Sequence, residues 1–346
     1  RFEKVQAAAL ELADWAGFDA RAAESAQRGR LRGRGIATFL EWTGGNAFEE
    51  RVTVQVSGEG WIEVYSATQA MGQGIATSYA QLVVDVFGVP IDKIRIVQGD
   101  TDRGAGFGSA GSRSAFVGGS AVSVASQRTM TKATDLAADA LEAAQADLEY
   151  AAGEFHIVGT DRRLGLFELA TRQPGAQIFV DATSAVQAPS WPNGCHVCEV
   201  EIDPDTGAVA VAAYASVNDV GRVINPTIVV GQLDGGAAQG IGQALCEQVL
   251  HDRESGQLLT GSLMDYALPR AGIVASFRTV LDPSTPCLTN PLGVKGVGEL
   301  GTIGATPAVV NAVVDALSRA GAGERALQLQ MPLLPERVWR ALHCVA

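Results

Sequence analysis

The sequence predicts an α+β fold, built as two α/β subdomains with mixed sheets and helices packed on them. Two observations carry this expectation. Strand-like and helical runs both recur, but they do not alternate regularly enough for a single doubly wound sheet. The two halves also share one plan (hairpin, glycine-rich loop, long helix) without a sequence repeat of fixed period. A length of 346 residues accommodates two or three domains. The division expected is an N-terminal helix and connector over 1–34, a first half over 35–190 and a second half over 191–346.

The elements follow in order. Residues 5–16 read as a helix that Gly17 ends, and 21–34 as a polar, basic surface connection. Val52, Val54 and Val56 alternate with polar residues, 57–60 turn the chain, and 61–65 return as the second strand of a hairpin. A helix over 75–87 closes at Gly88, a short strand covers 94–97, a Gly/Ser loop covers 100–114, and an Ala-rich helix is expected over 116–147. Residues 153–190 mix short strands and turns. A second hairpin follows, 196–202 and 208–216 around an Asp-Pro-Asp-Thr-Gly turn. Next come a helix from about 228 to 250, two strands between 258 and 280, and a glycine-rich run from Gly293 to Gly304. The last helix is expected to start with Thr306 as N-cap and Pro307 as its first residue, and to reach about 320.

Composition narrows the function. The net charge is −12, the wrong sign for a groove that neutralises phosphates, which argues against nucleic acid as a partner. No apolar stretch reads as long enough to span a membrane, and no signal-peptide core opens the chain. The expected location is cytoplasmic. Five scattered cysteines read as reduced thiols, not as a disulfide framework.

Several stretches invite chemistry. Gly106-Phe-Gly-Ser-Ala-Gly111 matches the dinucleotide pattern G-x-G-x-x-G, but it follows a loop instead of a strand, and the long helix occupies the place of the required second strand. Its free N–H groups remain suited to an anion. Cys195-His196-Val197-Cys198 has the spacing of a zinc pair, but it lies on a strand, where the two thiols face opposite ways, and it has no second pair. None of the four histidines sits in a context that completes a nucleophilic triad. Glu299 is different. It stands in Gly296-Val-Gly-Glu-Leu-Gly301, where small neighbours leave room for a ligand and a helix start nearby favours negative charge, as a general base needs. A surface or capping role is the plain alternative for a loop carboxylate.

Taken together, a series of motifs settles the choice. In order they are Gln69-Ala-Met-Gly-Gln-Gly-Ile-Ala-Thr77, Gln98-Gly-Asp-Thr-Asp102, Gly108-Ser-Ala-Gly-Ser-Arg-Ser114, Asp219-Val-Gly-Arg-Val-Ile-Asn-Pro226, Gly231-Gln232, Gln239-Gly240, Met264-Asp-Tyr-Ala-Leu-Pro-Arg270 and Lys295-Gly-Val-Gly-Glu-Leu-Gly-Thr-Ile-Gly304. Order and spacing resemble the second cofactor-binding region of the molybdenum hydroxylase large subunit, in the family of xanthine dehydrogenase and aldehyde oxidase. The resemblance covers about 30–325. It implies a molybdenum-cofactor-binding fold that holds a molybdopterin, of which the cytosine dinucleotide is one form. Met71, Gly72 and Gln73 would form one cofactor loop, Gly111, Ser112, Arg113 and Ser114 a second, with Gln232 and Lys295 as further contacts. Glu299 matches the catalytic glutamate. The metal is held by the pterin's sulfurs, so no protein ligand cluster is expected.

The implied activity is hydroxylation or dehydrogenation of an aldehyde or N-heterocyclic small-molecule substrate, with water as oxygen source. The implied partners are an iron–sulfur subunit with 2Fe–2S clusters, an FAD subunit, and a chain or segment carrying the upstream half of the large subunit. A non-catalytic cofactor-insertion or scaffold relative is the alternative, because fold does not guarantee function.

Overall fold

A computed structural model describes residues 1–343. Helices α1 (Phe2–Leu12) and α2 (Phe18–Gln27) lead into strand β1 (Leu31–Leu40). Strands β2 (Glu49–Ser57) and β3 (Trp61–Ser66) form the first hairpin, and helix α3 (Ile75–Phe87) crosses to β4 (Ile94–Val97), which lies parallel to β3. A loop and a π-helical turn (Ser114–Gly118) precede α4 (Gly119–Leu141). A small three-stranded sheet follows, β5 (Leu148–Ala151), β6 (Glu154–Ile157) and β7 (Arg163–Gly165), then α5 (Leu166–Thr171) and β8 (Gln177–Ala185). Strands β9 (Asn193–Ile202) and β10 (Val209–Asp219) form the second hairpin, and α6 (Pro226–Leu245) leads to β11 (Phe277–Asp282), parallel to β10. Helices α7 (Leu300–Arg319), α8 (Gly323–Ala326) and α9 (Pro335–His343) complete the described chain.

The α+β class holds, and so does the shared plan. One four-stranded sheet has the order β4-β3-β2-β8 and the other β11-β10-β9-β1. Each is an antiparallel hairpin with a parallel strand on one side, reached through a helix, and an antiparallel strand on the other. In each, a glycine-rich loop after the parallel strand opens a long helix, α4 or α7. The first sheet buries Val52, Val54, Ile62 and Val64 against Tyr79, Phe87, Phe116 and Val122 of its helical layer. The second is covered on both faces. Cys198, Val200 and Tyr214 pack against α6 and α7, while Cys195, Val197 and Val217 pack against α1. The two cysteines of the Cys-His-Val-Cys stretch therefore lie in different cores.

Several elements differ from the sequence reading; α1 ends at Leu12 and α4 at Leu141, short of the expected 16 and 147. The basic stretch 21–34 is not a solvated connector but most of α2 and the start of β1, a strand that runs through the boundary expected at 34 and joins the sheet of the second half by pairing with β9. Its charge is used locally: Arg32 Nε donates to Glu199 Oε2 at 2.8 Å and Arg21 Nη2 to Glu199 Oε1 at 2.7 Å. Between 258 and 280 there are one strand and two isolated bridges, Leu258 with His251 and Val274 with Val211, instead of two strands. Helix α6 starts at Pro226 behind an Asn225 cap and ends at Leu245, and α7 starts at Leu300. Finally, α7 is, by length and composition, apolar enough to cross a membrane. It serves here as a core helix, with Val309, Ala312 and Val313 fully buried.

Candidate cofactor site and its glutamate

Segments from both halves meet around one cavity of about 290 Å³. The β3–α3 loop contributes Met71 and Gln73, the loop before α4 contributes Gly111, Ser112 and Ser114, helix α6 contributes Gln232, and the loop before α7 contributes Lys295 and Glu299. Eight of the ten residues singled out from the sequence thus share a wall, although they span 229 positions from Met71 to Glu299. The other two, Gly72 and Arg113, do not line it. Gly72 lies in the first loop with φ +88°.

Arg113 does not reach the cavity wall. Its side chain is fully buried, pairs with Glu50 at 2.7 Å, and donates to the carbonyl oxygens of Ala47, Gly108 and Glu49. A guanidinium with this many fixed acceptors braces the loop and has little donor capacity left for a ligand. Lys295 reaches the wall, but its ammonium is committed to Asp219 at 2.7 Å, and both side chains are largely buried.

The loops are tied to each other before any ligand arrives. Gln73 Nε2 donates to the Gln69 carbonyl at 3.0 Å, and Gln73 Oε1 accepts from the Met71 N–H at 2.6 Å. The Ser109 N–H donates to Gln69 Oε1 at 2.8 Å, joining the first loop to the second. Gly44 N–H donates to the Gly111 carbonyl at 2.9 Å, and Asn225 Nδ2 to Gln81 Oε1 at 2.9 Å. Ser112 adopts φ +53°, a conformation that costs a non-glycine residue energy and that surrounding structure must enforce. Gly296 lets the two loops approach this closely: a Cβ there would lie 2.4 Å from the Ser112 carbonyl oxygen.

Glu299 is the N-cap residue of α7, seven positions earlier than the N-cap expected at Thr306. Thr306 instead lies inside the helix and donates to the Gly240 carbonyl of α6 at 3.1 Å. The Glu299 carboxylate does not cap its own helix. It turns to Ser112, whose hydroxyl donates to Oε2 at 2.6 Å, and no cation pairs with it among the described residues. A carboxylate held by one hydroxyl in a cavity wall is free to exchange a proton with a ligand.

Glu41 belongs to the same cluster, and the sequence reading missed it. It follows β1, its backbone N–H donates to the Pro192 carbonyl at 3.0 Å, and its Oε1 lies 3.3 Å from Ser112 Oγ. Burial, with the neighbouring Glu299 second, pushes its carboxyl up to about 8. The available signal was an isolated acid between apolar Phe39-Leu40 and the Gly44-Gly45 turn.

The remaining donors suit an anionic, amide-rich ligand. Helix α3 begins at Gly74 with no side-chain cap, and Gln73, Ile75 and Ser78 line the cavity around that end. Its first-turn N–H groups are left for a ligand, the usual setting for a phosphate. Gln232 adds a side-chain amide, and Ser109 and Ser114 line the wall with hydroxyls. Among the described residues no group of three or more His, Cys, Asp or Glu could hold a bare metal ion. This donor set fits a pterin phosphate that brings its own metal ligands.

An α+β scaffold with such a cavity between its two halves defines a domain that binds an organic anionic cofactor. Residues 8–274 match the molybdopterin cofactor-binding domain, and the chain belongs to that family. The nicotine 6-hydroxylase large subunit of Paenarthrobacter nicotinovorans is 35% identical, over 98% of this chain and 44% of its own length. The carbon monoxide dehydrogenase large chain of Afipia carboxidovorans is 32% identical, over 92% of this chain and 41% of its own. The crystal structure of quinoline 2-oxidoreductase from Pseudomonas putida 86 superposes with a TM-score of 0.86 at 33% identity, covering all of this chain and 46% of that one. The chain thus spans less than half the length of these relatives.

Proposed function

We propose that this chain is the molybdopterin-binding part of the catalytic subunit of a molybdenum-containing hydroxylase or dehydrogenase. Its substrate class would be an N-heterocycle or aldehyde, oxidised with water as oxygen source. The observation that carries this is Glu299, unpaired with any cation among the described residues, in the wall of a cavity whose other groups suit a pterin phosphate. Relatives named as a nicotine hydroxylase and a quinoline oxidoreductase favour the heterocycle over the aldehyde.

Bound here, the molybdenum cofactor supplies oxygen transfer and two-electron chemistry. The protein's own groups do the rest. Gln73 and Gln232 would hold the pterin through their amides, with Met71 and Gly72 against it, and the open end of α3 would take the phosphate. Gly111 and Ser114 would close the second side, and Lys295, fixed by Asp219, would set the loop that carries Glu299. Ser112 aims the Glu299 carboxylate, which takes a proton from the water that becomes the product oxygen. The relatives are named as large chains or as subunits of a complex, which supports partner chains for this one. We assign those partners the 2Fe–2S clusters, the FAD and the upstream part of the subunit, and a cytosine dinucleotide form to the pterin.

The test is molybdenum stoichiometry on the complex purified from its native host, for wild type and Glu299→Gln. About one molybdenum per chain is expected in both, with turnover in the variant about 10²–10⁴-fold lower, the usual loss for a general base. Absence of molybdenum from the intact complex would overturn the reading in favour of a scaffold. Near-normal turnover in the metallated variant would remove Glu299 from the chemistry.

A further inference from the structure

Ser112 has a hydroxyl with one proton and two carboxyl groups within reach. Its Oγ is 2.6 Å from Glu299 Oε2 and 3.3 Å from Glu41 Oε1. One hydroxyl cannot donate to both, although it can donate to one and accept from the other. The shorter distance assigns its proton to Glu299. Oγ is then left as an acceptor facing Glu41, and a carboxyl can donate to it only if it carries a proton.

The surroundings of Glu41 point the same way. The residue is 7% exposed, and its second oxygen, Oε2, is buried with no hydrogen-bond partner. A buried carboxylate with an unsatisfied oxygen is costly, whereas a neutral carboxyl in the same place is far less so. Cations on the neighbouring segments are committed elsewhere, Arg113 to Glu50 and Lys295 to Asp219. The segment 189–193, which fixes the Glu41 backbone, carries no titratable side chain. Glu299 is the charged group acting on Glu41, and it opposes a second negative charge.

We propose that Glu41 is a positioning residue that holds a proton and completes a relay, Glu41 O–H to Ser112 Oγ, and Ser112 O–H to Glu299 Oε2. The relay frees the Ser112 proton for Glu299 and fixes the orientation of the base. It rests on the reading of Glu299 as that base, but the proton on Glu41 can be measured without turnover. Burial first, then the hydrogen bond and the charge of Glu299, raise the Glu41 carboxyl to about 8, so the proton stays on through neutral pH. Above that, Ser112 faces two carboxylates and can satisfy only one.

The experiment uses the cofactor-loaded complex in three forms: wild type, Glu41→Gln and Glu41→Ala. Infrared spectroscopy in water and in heavy water reads a protonated buried carboxyl directly. The expected result is a carboxylic-acid band in wild type that titrates away near pH 8, persists in Glu299→Gln, and is missing from Glu41→Gln. Turnover supplies the second readout. Glutamine keeps an N–H donor toward Ser112 but cannot ionise, so Glu41→Gln should lose the alkaline inflection of the rate profile. Alanine removes the donor, and turnover should fall by up to about tenfold, the scale of one neutral hydrogen bond, with Glu41→Gln restoring it at neutral pH. A carboxylic-acid band unchanged in Glu41→Gln, or a rate profile that superposes on wild type, would overturn the relay. The infrared band needs neither substrate nor turnover, so failure of the relay and failure of the proposed activity are distinguishable.

Discussion

His196 shows how one residue can look like a ligand and act as structure. Its Nδ1 accepts from the Tyr214 hydroxyl at 2.7 Å and its Nε2–H donates to Asn218 Oδ1 at 3.0 Å. Both nitrogens are satisfied with the ring neutral. Burial lowers its pKa to about 4, from an ordinary value of 6.5. The unfolded chain therefore binds a proton that the folded chain refuses between those values. The stability due to a neutral His196 is complete above about pH 6.5 and falls as pH drops toward 4. Thermal midpoints measured across that window should decline in wild type and decline less steeply in His196→Gln. Parallel curves would show that another group governs the acid limb.

At the scale of elements, glycines set how closely helices approach the second sheet. A Cβ at Gly35 of β1 would lie 2.1 Å from the Ala308 carbonyl of α7, and one at Gly304 of α7 would lie 2.3 Å from His196 Nδ1. The first neighbour is backbone and cannot swing away; the second is a ring held by two hydrogen bonds. Gly304→Ala should thus push α7 off the sheet and cost about 1–3 kcal/mol, as overpacking does, even though alanine favours a helix. A denaturation midpoint equal to wild type would show that the sheet yields. The same closeness explains the early start of α7. Asn225-Pro226 does open α6, but Thr306-Pro307, the same type of signal, lies within α7, because packing against β1 and α6 extends that helix over Leu300–Ala305.

At the scale of the whole molecule, the site is a property of two similar halves brought face to face. Glu299 and Ser112 are 187 positions apart and meet only because the two glycine-rich loops converge. Arg113 matters to that convergence without lining the cavity. It holds the second loop through Glu50 and three carbonyl oxygens. Removing one member of a buried ion pair strands the other, so Arg113→Ala should cost about 3–5 kcal/mol and lower cofactor retention with it. Unchanged molybdenum content in a folded Arg113→Ala would show that the loop keeps its shape without the pair.

Local pattern in the sequence was enough for the first hairpin, for α3 and β4 to the residue, for the paired plan of the halves and for the order of the cofactor motifs. Each depends on neighbours along the chain: alternation, helical spacing, a glycine stop. The sequence also marked Glu299, because a lone acid among glycines is visible without a fold. Tertiary structure decided what depends on partners distant in sequence. It turned the Arg-rich connector into a strand, since Glu199 on β9 neutralises it. It made the apolar α7 a buried core helix and withdrew Arg113 from the cavity. It also placed Glu41 beside Ser112 and Glu299. Nothing near Glu41 in sequence records that neighbour, because a carboxyl's surroundings are set by the residues that fold against it.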